Sequence, residues 1–209
     1  VDVARRPKGM AAMMRLLESR SNEFPPFAPP FLKAGKLVIA QTANILFYLG
    51  PRLDLVPKNE AARIWANQLQ LTIADWVGEV HDAHHPISGG LYYEEQKDEA
   101  RRRAVDFTAN RLPKFLGYFE RTLKRNPRKS AYLLGKKLTY VDLSLFQMIE
   151  GLRYAFPHAM AQLKKKYPRT MTLHDVVAAR PRLQAYLSSS RRIPFNQEGI
   201  FRHYPELDS

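Results

Sequence analysis

From Asn59 onward the apolar residues return every three or four positions, the period of a helix with one buried face. Ile64, Leu69, Leu71, Ile73, Trp76 and Val80 mark one long helix from Asn59 to about His84. The stretch HHPISGGLYYEEQ, residues 84–96, breaks it at Pro86 and Gly89-Gly90. A second long helix is expected from Lys97 to about Arg125, bent at Pro113. After a connection over Pro127–Lys137, a third helix from Thr139 to Ala155 is the most apolar, with Val141, Leu143, Leu145, Phe146, Met148, Ile149 and Leu152. Shorter helices follow at Ala159–Tyr167, at Thr172–Ala179 and from Arg180-Pro181 to Ser188, ahead of a C-terminal tail.

Before Asn59 the pattern changes. Val1-Asp2-Val3 alternates like a strand, and Gly9–Ser19 reads as a helix with Met10, Met13, Met14 and Leu17 on one side. Arg20–Pro30 is a loop rich in Pro and Phe. Phe31-Leu32-Lys33 is a short strand, Ala34-Gly35 a turn, and Leu37-Val38-Ile39-Ala40 a second strand. Gln41-Thr42 opens a helix carrying Ile45, Leu46 and Leu49 on its apolar face, and Gly50-Pro51 is expected to stop it. Pro29 and Pro30 enter the first strand, where a missing N–H is tolerated at an edge or a strand start. The Pro-punctuated run GPRLDLVPK, residues 50–58, reads as a linker between this unit and the helices.

The start of the helix at Gln41-Thr42 carries the first candidate chemistry. Free N–H groups and the helix dipole attract a carboxylate there, and a Thr hydroxyl can hold the same anion. The adjoining strand entry offers backbone groups to an extended peptide. Together they suit a small peptide-like ligand with a free carboxylate; a plain ββα unit with a Thr cap is the alternative. Thr139-Tyr140-Val141-Asp142 has the S/T-x-x-D form of a capping box, with Leu138 placed to staple on Leu143, and this is a folding device.

Composition narrows the classes. The 209 residues suffice for one large domain or two small ones, and 45% of them are hydrophobic, enough for a real core. There is no cysteine, so disulfides, a protein thiolate nucleophile and Cys-based metal sites are excluded. That fits a reducing compartment. No run of about 18 apolar residues suggests a membrane span. The net charge of +13 and pI near 10.0 favour anionic partners, nucleic acid or acidic membrane among them. The cations are dispersed in short clusters, such as Arg101-Arg102-Arg103 and Lys164-Lys165-Lys166, without interleaved aromatics. A solvated cationic surface is the plainer reading.

The run Pro29–Gly50 resembles the second half of the thioredoxin-like domain of cytosolic glutathione transferases, and it matches without a gap in turn, polar pair and apolar helix face. In that family a cis-proline precedes the third strand, and the residue before it pairs through its backbone with the cysteinyl part of glutathione. A Gln/Glu-Ser/Thr pair after the fourth strand binds the γ-glutamyl group. The resemblance implies these roles for Pro30, Pro29 and Gln41-Thr42. The box at Thr139 matches the family's buried capping box. The resemblance covers essentially the whole chain and is strongest at 29–50 and 135–152. It implies an α/β thioredoxin-like glutathione-binding domain over residues 1–50, partial here, a linker over 51–58 and an all-helical domain over 59–209. It further implies a cytoplasmic homodimer with a detoxification role, using glutathione as substrate, a hydrophobic electrophile as partner and no metal.

The same resemblance sets what the chain lacks. The family's first strand and first helix have no counterpart before Val1, so the chain is expected to start roughly 20–30 residues late, about the length such a unit needs. The activating Tyr or Ser, which would stabilise the glutathione thiolate by hydrogen bonding, is expected upstream of Val1. None of the ten tyrosines is appointed in its place.

Further candidates come from matching positions. Asp75 corresponds to an aspartate that in several classes reaches across the dimer to the γ-glutamyl amine, a carboxylate–ammonium pairing; an exposed helix acid is the alternative. Arg5, Arg6, Lys8 and Arg15 are candidates for the glycyl carboxylate. Trp76, Tyr92 and Tyr93 could line an apolar substrate site or simply pack in the core. His81 and His85 share a helical face with zinc-compatible spacing, but neither the Glu of an HExxH motif nor a third ligand is present, so no metal site is expected. Two functions therefore stand: conjugation of glutathione to an electrophile, or a non-catalytic scaffold of the same fold whose cationic surface binds a polyanion.

Overall fold

The computed structural model describes residues 9–19 and 23–208. The strand expected at Val1–Val3 and the candidates Arg5, Arg6 and Lys8 lie outside the described residues. The chain divides into two compact units, Val1–Leu53 and Asp54–Ser209.

In the first unit, helix α1 (Gly9–Leu17) precedes an antiparallel hairpin of β1 (Phe31–Ala34) and β2 (Leu37–Ala40). The register pairs Phe31 with Ala40 and Ala34 with Leu37. The first strand thus runs one residue further than the pattern suggested, and the turn is Gly35-Lys36. Gly35 has φ 62, a conformation that glycine adopts without steric cost at the first central position of a two-residue turn. Helix α2 spans Thr42–Arg52 and passes through the expected stop at Gly50-Pro51. A proline this close to the C-terminus removes one bond from the ladder, and the Leu53 N–H still reaches the Leu49 carbonyl at 3.0 Å.

In the second unit, α3 (Glu60–Asp82) begins at the cap Asn59, whose side chain accepts the Ala62 N–H at 2.8 Å. The second long helix changes its ladder just before Pro113. It is α4 (Lys97–Asp106), a π-helical segment (Phe107–Arg111) and α5 (Leu112–Arg125), continuous in helical backbone from one to the next, with Pro113 directly after the π-segment and bringing no N–H to the ladder. Then come α6 (Tyr140–Ala155), α7 (Pro157–Leu163), α8 (Pro168–Ala178) and α9 (Pro181–Leu187). The core is built on α6, which packs against α3, α7 and α8. Trp76 lies parallel to Phe115 and Phe119 at ring-centroid distances of 5.0 and 5.9 Å, with Leu69, Leu112, Leu145, Ile149 and Leu152 fully buried alongside. Stacked rings with this much apolar area dominate the packing energy.

Distant carboxylates finish two of the short helices. Glu120 accepts the backbone N–H groups of Arg169 and Thr170 and the Thr170 hydroxyl at 3.2, 2.9 and 3.0 Å, closing the start of α8. Asp208 accepts the His158 and Ala159 N–H groups at 2.6 and 3.0 Å, doing the same for α7. Among the described residues no helix is long and apolar enough to cross a membrane.

Candidate functional site

In the first unit the hairpin register decides the geometry. Because Phe31 sits opposite Ala40, the residues just outside the ladder, Pro30 and Gln41, flank the same end of the hairpin. The Pro29-Pro30 bond is cis and leads directly into β1. Gln41 caps α2 with φ 68 and ψ 124, a left-handed backbone that a non-glycine residue adopts at a cost. Its carbonyl accepts the first intrahelical bond, from Ile45 N–H at 2.9 Å. The N–H groups of Thr42, Ala43 and Asn44 are therefore left without an intrahelical acceptor. The first turn of α2 holds no acidic residue, so no carboxylate of its own neutralises these donors or the helix dipole. Gln41 and Thr42 are both exposed, as are Pro29 and Pro30. The result is an open turn of unpartnered N–H donors beside an extended strand entry. Pro29 presents a carbonyl but no N–H to a ligand lying along that entry. Arg15 is exposed on α1, its Nε donating to the Ala11 carbonyl at 3.3 Å.

In the second unit the predicted residues part company. Asp75 is exposed on α3, one turn beyond Leu71, which is itself 51% exposed, and Ile64 on the same helix is 58% exposed. Periodicity counted these two among the buried positions; they form instead an outward apolar stripe that runs toward Asp75. Trp76 is fully buried among Phe115 and Phe119, so it serves the core. Tyr92 is 78% exposed, whereas Tyr93 is buried, stacked on Tyr204 at 3.7 Å and donating its hydroxyl to Glu206 at 3.0 Å. Burial, then that hydrogen bond, pushes the Tyr93 phenol well above its ordinary range. These three aromatics thus occupy different surroundings. A cavity of about 500 Å³ at the start of α3 is lined instead by Trp65, Tyr118, Arg121 and Arg125, which periodicity alone did not single out.

The histidine run ends α3. His81 and His85 stack at 5.3 Å, and His84 and His85 are buried. Burial holds the His84 ring down to about 4 against the opposing bond to the Ile200 carbonyl, with the neighbouring basic groups His85, Arg202 and His81 adding to the depression. No group of three or more metal-ligating side chains occurs among the described residues. In the last turn of the same helix, Glu79 is gripped by Arg111 from the π-segment, Nε to Oε2 at 2.7 Å and Nη2 to Oε1 at 2.5 Å.

The sequence and fold comparisons agree. Residues 81–190 match the family model described as the glutathione S-transferase C-terminal domain. A glutathione S-transferase of Plasmodium falciparum is 24% identical over 166 residues, covering 78% of this chain and 70% of the relative. Glutathione S-transferase 2 of Onchocerca volvulus is 27% identical over 175 residues, covering 81% and 75%. The solved Pi-class glutathione S-transferase of Onchocerca volvulus superposes with a TM-score of 0.60 at 24% identity over 76% of this chain and 69% of that one. The glutathione S-transferase Blo t 8 superposes with 0.66 at 18% identity, covering 86% and 75%. The hairpin with its capped helix and the helical body therefore correspond to a thioredoxin-like domain and a helical C-terminal domain, and the chain belongs to the glutathione S-transferase family.

Proposed function

We propose that this chain binds reduced glutathione at the end of its hairpin and directs the thiol sulfur onto an electrophilic small molecule, in the cytoplasm. The reading is carried by one observation: an acid-free helix start at Thr42, beside the Pro29-Pro30 strand entry, in a chain of this family. The γ-glutamyl carboxylate would accept from the Thr42 hydroxyl and the free N–H groups of the first turn, with Gln41 beside it. The cysteinyl part would lie along the strand entry against the Pro29 carbonyl. This fixes the thiol's position; the S–H bond then breaks, the sulfur forms a bond to the electrophilic carbon, and the displaced electron pair leaves with the electrophile's leaving group or is taken up by its opened π bond. The exposed stripe of Ile64 and Leu71 on α3 suits a second copy of the chain, which would bring Asp75 to the γ-glutamyl ammonium of its partner's glutathione.

Calorimetric titration with reduced glutathione tests the reading. The protein should bind in the micromolar-to-millimolar range, and Thr42→Ala should weaken binding about tenfold or more, the worth of a hydrogen bond to a charged group, with an unchanged circular dichroism spectrum. Absence of binding by the intact protein, or full affinity in Thr42→Ala, would overturn it.

A further inference from the structure

The end of α3 and the last stretch of the chain are joined by a hydrogen-bond relay whose proton positions are set by its two ends. His84 Nε2 lies 2.9 Å from the Ile200 carbonyl oxygen. A carbonyl only accepts, so this nitrogen carries the proton. The neutral ring then has a bare Nδ1, and His85 Nδ1, 2.5 Å away, must donate to it. His85 Nε2 is in turn bare, and Arg202 Nη1 faces it at 3.5 Å as a donor. The relay runs from Arg202 through His85 and His84 to Ile200. It leaves the C-terminal segment and returns to it within three residues, and it holds only while both rings are neutral.

We propose that the His84–His85 pair is an acid-sensitive clasp, which holds residues 198–204 against the helical body at neutral pH and releases them when the pair takes up one proton. Wherever the extra proton lands, two donors come face to face. On His84 Nδ1 it opposes the His85 N–H; on His85 Nε2 it opposes the Arg202 guanidinium, a cation carried by the segment itself. The surroundings do little to offset the new charge. His81, stacked on His85 and edge-on to His84, and Arg202 both disfavour it, and Glu94 is the carboxylate that favours it at His85. Asp82 sits 3.5 Å from His81 Nδ1, and Tyr204 meets His84 edge-on.

What the clasp covers is also defined. The Phe201 ring presses on α6 where residue 151 is glycine, so closely that a Cβ there would collide with it. His203 Nδ1 reaches the Ala155 carbonyl at 3.2 Å, and Tyr204 stacks on Tyr93. Release would uncover an apolar trough on α6 and the Tyr93 face. The closed state holds His84 near 4, against an ordinary 6.5 once the segment is released, so falling pH draws the equilibrium toward release across that interval.

Two measurements on the intact protein decide the matter. Long-range nitrogen–proton NMR at pH 7 should find His84 as the Nε2–H tautomer and His85 as the Nδ1–H tautomer; any other pair would overturn the relay. Hydrogen-exchange protection of the amides of residues 198–204 should fall at least tenfold between pH 7 and pH 4.5, while α6 amides stay protected. In the double variant His84→Gln, His85→Asn each amide nitrogen takes the place of the donating ring nitrogen and does not titrate, so the fall should vanish. An identical fall in the variant, or loss of protection in α6 together with the segment, would overturn the clasp. Should the variant's segment be open at both pH values, the wild-type tautomers decide.

Discussion

Asp142 Oδ2 accepts two hydrogen bonds from one residue, the backbone N–H and the hydroxyl of Thr139, each at 2.7 Å, while its Oδ1 accepts the Leu133 N–H at 2.8 Å. The carboxyl is fully buried, and burial lifts it to about 6 against the downward pull of these bonds. A folded value above the unfolded 3.8 means that the site's contribution is complete below about pH 4 and is lost as pH rises through about 6. Asp142→Asn should cost about 1–3 kcal/mol at pH 7, because one amide cannot accept from three donors. In denaturant titrations the stability gap between wild type and variant should narrow as pH rises from about 4 to about 6.

The Glu79–Arg111 pair carries the opposite sign. The hydrogen bonds from Arg111 hold the Glu79 carboxyl below its ordinary 4.5, with further attraction from Arg111, Arg103 and Lys114. Its contribution is present above the unfolded value and fades as pH falls below it. Arg111→Lys keeps the charge and loses the fork. With both groups partly solvated, the expected cost is about 0.5–1.5 kcal/mol, and a double-mutant cycle with Glu79→Gln should show coupling near neutral pH that disappears in acid.

At Gln41 stability and binding should pull apart. Glycine accommodates φ 68 without a Cβ penalty, so Gln41→Gly should stabilise the fold by about 1 kcal/mol. If the side chain contacts glutathione as proposed, the same variant should bind it less tightly. Thermal melts and calorimetry on one preparation read both effects, and a loss of stability would contradict the assigned strain.

Pro29 offers a ligand half of what another residue would. Pro29→Val supplies the missing N–H at the strand entry. Under the proposed binding mode it should tighten glutathione by about 0.5–1.5 kcal/mol, roughly two- to tenfold. Unchanged affinity would place the cysteinyl part elsewhere.

Local chemistry was readable ahead of the structure; long-range geometry was not. Thr139-x-x-Asp142 announces its own cap, and the hairpin is legible in its β-branched strand and its glycine, because both are settled within a few residues. The caps that Glu120 and Asp208 lend to helices about 50 residues away leave no local signal. Pro113 announced an irregularity in the second long helix, but nothing local said that it would take the form of a π-segment just before the proline. Ile64 and Leu71 fit the helical period of a core, yet they face outward; periodicity says that a face is apolar and not what covers it. Of the candidate site, the helix start at Gln41-Thr42 was legible for the same local reason as the capping box. The strain at Gln41 was not, because nothing in a glutamine predicts a left-handed backbone.

The π-segment between α4 and α5 works as a one-residue phase correction. Phe107 and Leu112 are both buried though five positions apart, while Arg111, where a regular turn would next point inward, reaches Glu79 instead. One residue more than an α-turn is thus stored in the helix without rotating α5 about its axis. Removing Ala109 should let Phe107–Leu112 close as an ordinary turn, with the apolar stripes on either side still aligned. Removing one residue within α5 would swing its remainder by about 100° and turn its core residues to solvent. This stretch of the helix is where the chain should tolerate a change in its length.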